Sequence, residues 1–296
     1  MPGVAARSRS TELMIANAFV EDLGAEVRAA VAVARKEMRI ARRYPLNLAN
    51  EVLQPLYQFL LPSLLLGATF AVGGRAIGLE ASAGTVDLAG YLFLGIVVAA
   101  LVGAAFWEIA FSFKREMDAG TLEPAWLTPA RPETLVIGRA LSAFAIGGSA
   151  SLVLLGIGWL VFGASFSAAA LVALPALAIA ALSLLGIGYL VASMVLLMRD
   201  PNFFVDATNF GFMIITGVAF PVTVLPGVIR PVAYLLPTTY ALDLLRHAAL
   251  GTRSLLAPAL EWAALAGLAV VALAVGRVVF LRTEHRLRVR GTLGQH

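Results

Sequence analysis

Few side chains in this sequence could make or break bonds. There is no cysteine, which rules out thiol nucleophiles, thiolate metal sites and disulfides. The three histidines, His247, His285 and His296, are scattered and form no metal-ligand spacing. Neither a Gly-x-x-x-x-Gly-Lys-Ser/Thr phosphate loop nor a His-Glu-x-x-His motif occurs, and both lysines, Lys36 and Lys114, follow a non-glycine residue. What remains is a set of ionisable residues in apolar surroundings: Glu108, Arg139, Asp206 and Glu261. Such groups are functional candidates by default. Their places near the ends of apolar runs favour pairing or snorkelling toward an interface, Asp206 being the least settled. Asp243, Arg246 and His247 lie together, and the three-residue spacing of Asp243 and Arg246 suits a local helical ion pair.

The elements that must position these residues are membrane elements. Of 296 residues, 60% are hydrophobic and 14% charged, and the mean hydropathy is +0.87. A soluble domain carries about 25% charged residues. The apolar residues fall into runs long enough to cross a hydrocarbon layer of about 30 Å. We place six spans at about 52–72, 88–111, 135–162, 169–198, 203–225 and 255–281. The expected fold is all-α and polytopic. It has a cytoplasmic N-terminal segment (1–51), a six-span transmembrane domain (52–281) and a cytoplasmic tail (282–296). With the N-terminus inside, 18 of the 22 Lys and Arg residues lie on the cytoplasmic side. The reverse orientation would invert that bias. The chain therefore belongs in the cell's inner (plasma) membrane with both ends cytoplasmic. The pI of about 9.8 reflects this asymmetry, which points to a lipid surface and not to nucleic acid.

Three segments stand out. From about 25 to 44, Val27, Val31, Ala34, Met38 and Ala41 recur at helical spacing among Arg28, Arg35, Lys36, Arg39, Arg42 and Arg43. This is a basic amphipathic helix suited to the headgroups of membrane lipids, stopped by Pro45. In the loop after the second span, Gly120 can end one helix and Thr121 can cap a short one over about 121–128. That helix offers Leu122, Trp126 and Leu127 to a partner's groove; an interfacial turn with a tryptophan anchor is the competing reading. Between the fifth and sixth spans, residues 217–251 are too apolar for a solvated loop, yet Pro221, Pro226, Pro231 and Pro237 prevent any piece from spanning. A re-entrant helical hairpin satisfies both facts. The near-repeat of 154–161 (LLGIGWLV) at 184–191 (LLGIGYLV) reads as coincidence within Leu/Gly-rich sequence, with duplication and close packing at small residues as the alternative.

In order, these features resemble the permease subunit of type-2 ABC transporters, an exporter family. The resemblance rests on the amphipathic helix ending Arg42-Arg43-Tyr44-Pro45 and on Glu116-x-x-x-Gly120-Thr-Leu-Glu-x-x-x-x-Thr-Pro129. It rests also on Gly217-x-x-Phe-Pro followed by Leu225-Pro and Leu236-Pro-Thr-Thr-Tyr-x-x-x-x-x-Arg246. It implies that Thr121, Leu122, Glu123, Trp126, Leu127 and Thr128 form a coupling helix docking on an ATPase subunit, with Glu116, Gly120 and Glu123 positioning the loop. It implies that Arg35, Lys36, Arg39, Arg42 and Arg43 lie on a connecting helix. A hairpin over 221–251, bearing Pro221, Pro226, Pro237, Tyr240, Asp243 and Arg246, would cap the outer end of the path.

It further implies that this chain has no catalytic residue or cofactor of its own. ATP and Mg would act on two partner ATPase subunits, and a second permease, identical or related, would complete the path. Spans lined mainly by Leu, Val, Phe, Ser and Thr suit an amphipathic or lipid-linked substrate such as a drug, lipid or glycan. The alternative, an ion-coupled secondary transporter, needs midplane carboxylates at broken helices, and only Asp206 comes near that. A polytopic hydrolase lacks its nucleophile or metal site.

Overall fold

The computed structural model describes residues 24–69, 76–122, 124, 131–198 and 200–290. Among the described residues the regular structure is helical throughout, without strands. Helix α1 covers residues 24–43. After it come α2 (Pro45–Pro55) and α3 (Leu61–Thr69), joined by a π-helical turn at Leu56–Leu60. Pro55 has no N–H to give the preceding turn, and the register slips to longer bonds beyond it. A short helix, α4 (Ile77–Ala83), precedes α5 (Leu88–Gly103), which runs through a second π segment, Ala104–Ala110, into α6 (Phe111–Asp118). Asp87 caps α5 by accepting from the Gly90 amide at 2.7 Å.

The remaining long helices are α7 (Pro132–Phe162), α8 (Leu174–Val195) and α12 (Pro258–Arg290). Four helical stretches among the described residues are long and apolar enough to cross a membrane: Leu88–Asp118, Pro132–Phe162, Ala168–Val195 and Pro258–Val289. They coincide with the second, third, fourth and sixth spans read from sequence. Pro175, expected within the fourth span, sits in the first turn of α8, after a 3₁₀ opening at Ala168–Ala173, where its missing N–H costs nothing. The first expected span is helical from Pro45 to Thr69. The fifth is shorter than read. Helix α9 (Asn202–Thr216) has 15 residues and rises about 22 Å. It ends at Gly217, whose φ of +79° turns the chain back on itself.

Beyond α9 come a 3₁₀ turn (Val222–Val224), α10 (Arg230–Ala233) and α11 (Pro237–Leu250). Pro221 precedes the first of these, and Pro237 occupies the first turn of α11.

The second span is the hub. Its residues from Gly90 to Ala99, with Leu101 and Val102, are buried against neighbouring helices. Helices α8 and α12 approach most closely. A Cβ on Gly276 would lie 2.0 Å from the Gly186 carbonyl oxygen, and one on Gly186 would lie 2.4 Å from Ala272. Backbone meets backbone at this crossing, which only glycine permits. The near-repeated segments do not make equivalent contacts. Gly158 packs on the Phe93 ring and Gly156 faces open space, whereas Gly186 is the one pressed on α12 and Gly188 lies near Ile109.

Two ends of the bundle can be told apart. At one, Phe113, Tyr189 and Phe280 stack with centroids 5.2–5.6 Å apart. At the other, the Ser167 amide donates to the Ala249 carbonyl at 3.0 Å and the Arg253 amide to the Ala83 carbonyl at 2.9 Å.

Candidate functional site

The second span hands the chain to the loop singled out in sequence at the Phe113 end. Helix α6 stops in a paired cap: the Gly120 amide donates to Met117 O at 3.1 Å and the Thr121 amide to Glu116 O at 2.9 Å. Gly120 has φ +65°, the left-handed geometry this cap demands. The turn reverses the chain and folds Leu122 back over the second span.

Leu122 is 2% exposed and belongs to the main apolar core with Phe113 and Val136. Within this chain Leu122 is a core residue, because the cap aims it inward. Glu123, Trp126, Leu127 and Thr128 lie outside the described residues.

The chain returns at Arg131, and the first turns of α7 bind three other elements. Glu133 accepts from Nε and Nη2 of Arg277 on α12, at 2.7 and 3.1 Å. Thr134 donates its hydroxyl to Glu26 of α1, and Arg131 pairs with the same carboxylate at 3.5 Å. One turn further on, Arg139 binds Glu116 of α6 and lies over the Phe113 ring at 5.0 Å. Gly138 lets α1 come close, since a Cβ there would sit 2.6 Å from the Ala30 carbonyl oxygen. Helix α1 packs on α7 through Ala30 and Ala34 and leaves Arg35, Lys36, Arg39, Arg42 and Arg43 exposed. Val27 and Ile40, also exposed, lie on the outward side. Of the apolar stripe read in sequence, Ala34 is buried, Val31, Met38 and Ala41 are half-buried, and Val27 is exposed.

Of the ionisable residues flagged in sequence, Glu108 pairs with Arg115 at 3.0 Å and Arg139 with Glu116. Asp206 is exposed on α9. Sequence reasoning missed Glu26, Glu133, Thr134 and Arg277. The one available signal was Glu133 after a proline in a first helical turn, where a carboxylate is favoured; nothing in the spacing names Arg277, 144 positions away.

At the opposite end, Asp243 and Arg246 do not turn to each other. Arg246 donates to the carbonyls of Tyr91 (3.1 Å), Gly217 (2.9 Å) and Val218 (2.6 Å) and lies 3.4 Å over the Tyr91 ring. Gly217 and Val218 follow the C-terminus of α9, where unsatisfied carbonyls favour a cation. The buried guanidinium thus bolts α11 to α5 and to the end of α9. Asp243 instead accepts from the Leu255 amide at 2.8 Å. Tyr240 donates its hydroxyl to Tyr234 O at 2.9 Å, closing the α10–α11 turn. The Pro226 carbonyl accepts from the Ile229 and Arg230 amides at the start of that segment.

Among the described residues no group of three or more His, Asp or Glu side chains could hold a metal. The two ends hold the buried Arg139 and Arg246 guanidinium groups against a carboxylate and backbone carbonyls.

The family model for the ABC-2 type transporter matches residues 28–250, from α1 through the end of α11. The chain belongs to the ABC-2 type transporter family. It is a transmembrane permease and a multi-pass membrane protein, of a family that associates with an ABC ATPase. No curated protein matches it. In this ABC-2 permease the first turns of α7 join α1, α6 and α12.

Proposed function

We propose that this permease forms half of the path of an ATP-driven exporter for an amphipathic or lipid-linked substrate. Two ATPase subunits, carrying ATP and Mg, dock on the segment around Thr121–Thr128 and on the exposed basic face of α1. A second permease, identical or related, completes the path. ATP-driven closure of the ATPases moves the docked segments, and α7 carries the motion as a rigid lever.

The observation that carries this reading is the convergence of Glu26, Glu116 and Arg277, from three elements, on the first turns of α7 beside the docking loop. Buried and partly buried pairs of this kind fix geometry more than they add stability.

We read six crossings, both termini cytoplasmic and the Phe113 end inside, in the plasma membrane. Residues 45–69 and α9 supply the first and fifth crossings. Helix α9 must carry the chain from Leu196, in the core with Phe113, to Gly217 beside the outer hairpin. A rise of about 22 Å falls short of the hydrocarbon layer. The hairpin makes up the difference by dipping inward: Val218 O lies against Gly95, seven residues into the second span, about 10 Å below its start.

Pull-down of the expressed chain from native membranes tests the reading. Co-purification of an ABC ATPase in a 1:1 ratio is expected. Capture of none from membranes that contain the folded permease would sink it.

A further inference from the structure

Two carboxylates at the outer end, half-buried Asp243 and buried Glu261, play no part in the lever. Asp243, on α11, and Glu261, in the first turn of α12, converge on the turn between the two helices, near enough for each to influence the other's ionisation. They accept from adjacent amides of the connecting turn: Leu255 to Asp243 Oδ2 at 2.8 Å and Leu256 to Glu261 Oε1 at 2.7 Å. Glu261 is fully buried, and its Oε2 accepts no hydrogen bond. The wall around the pair is apolar, with Ala176 and Ala180 of α8 and Leu244 and Leu265 in one cluster with Tyr240.

Two ionised carboxylates cannot bond to each other, since both only accept. Like charges in a dry site repel strongly, and one of the two then holds a proton. Nearby charges do not replace it. Arg246, on the same helix, is taken up by the Tyr91, Gly217 and Val218 carbonyls. His247 meets the Thr252 carbonyl at 2.6 Å, and Arg253 points to Ala81 O. Tyr91, from α5, and Tyr240 are the other titratable groups near the pair, and each phenol lies in its electrostatic field.

We propose that Asp243 and Glu261 form a proton-binding site, sharing one proton in an acid–carboxylate hydrogen bond that latches the outer hairpin to the last span. One proton from water enters, and the pair keeps a single negative charge, which the two turn amides accommodate. Loss of the proton leaves two neighbouring anions, that of Glu261 fully buried, and loosens α11 from α12.

The proposal rests on the preceding reading only for which side of the membrane supplies the proton; the latch itself is measurable without any ATPase. Burial pushes the Asp243 carboxyl above its ordinary value, against the Leu255 amide, Glu261, Arg246 and His247, which favour its anion. The folded chain then binds a proton that the unfolded chain has released, and stability falls as pH rises.

The test is thermal melting of the detergent-purified full chain between pH 5.5 and 8.5. Wild type is expected to melt at least about 3 °C lower at the alkaline end. E261Q, whose amide donates permanently to Asp243, is expected to lose that slope, as is D243N. H247Q should keep it. A wild type without a slope, E261Q with the full slope, or a slope lost in H247Q would each overturn the proposal. If neither carboxylate variant folds, hydrogen exchange across 238–256 in wild type decides. After correction for intrinsic rates it should quicken at pH 8.5, and unchanged protection counts against the latch.

Discussion

The Arg139 guanidinium binds the Glu116 carboxylate where the second span meets the loop that follows it, and the Phe113 ring covers it. Both partners are largely buried, Glu116 on α6 and Arg139 on α7. Removing one strands the other's charge. We expect E116A to destabilise the permease by about 2–4 kcal/mol. The double variant E116L/R139L should recover much of that loss. Melting in detergent measures both. A double variant no better than E116A would show that the pair does not act as a unit.

The inward turn of Leu122 separates two roles that adjacent residues of the loop would otherwise share. L122A removes a core side chain and should cost the isolated permease about 2–5 kcal/mol. On the proposed function, W126A leaves the melting temperature within about 2 °C and weakens ATPase capture. Melting and pull-down on the same preparations read the two effects apart.

Helices α8 and α12 touch at backbone level through Gly186 and Gly276. G276V must push them apart, and overpacking of this kind costs about 1–3 kcal/mol or more. Gly156, with open space where a Cβ would go, is the matched control. We expect G276V to collapse the yield of monodisperse protein in size-exclusion chromatography while G156A elutes as wild type.

Arg246 satisfies carbonyls of two other elements with one planar group. R246M leaves those carbonyls short of donors in a buried place and should cost about 2–4 kcal/mol. R246K keeps the charge but not the fork that reaches Tyr91 O and Val218 O together, and should recover only part of the loss. Equal melting of R246K and wild type would remove the bolt from the account.

Much of the fold is written in local pattern. Apolar runs mark the long helices because a bilayer leaves a backbone few other ways to satisfy itself. Gly120 reads as a helix end and is one, since a left-handed residue there is a local requirement. The fifth span was over-read at its far end because Val218, Ala219 and Phe220 continue the apolar run. Hydrophobicity carries no sign of a chain that turns at Gly217 while still among apolar neighbours.

The candidate site was legible as a segment and not as a set of contacts. Sequence pointed to Glu116 and Arg139 separately, and to Asp243 with Arg246 as a pair because three-residue spacing brings helical side chains together. The fold gave Arg246 to the carbonyls at the end of α9, which offered more acceptors than one carboxylate. It placed Asp243 against Glu261, 18 positions along and on another helix.

By itself the sequence determined that this chain is a helical membrane protein, where its apolar runs lie, and which family it resembles. Composition, run length and charge asymmetry are properties of residues in order, and the bilayer reads them in order. Only the tertiary structure decided that Leu122 faces inward, that α7 grips three elements at its first turns, and that Asp243 and Glu261 accept from adjacent amides of one turn. Those outcomes depend on which helix faces which, and a face is chosen by packing between residues that the chain keeps far apart.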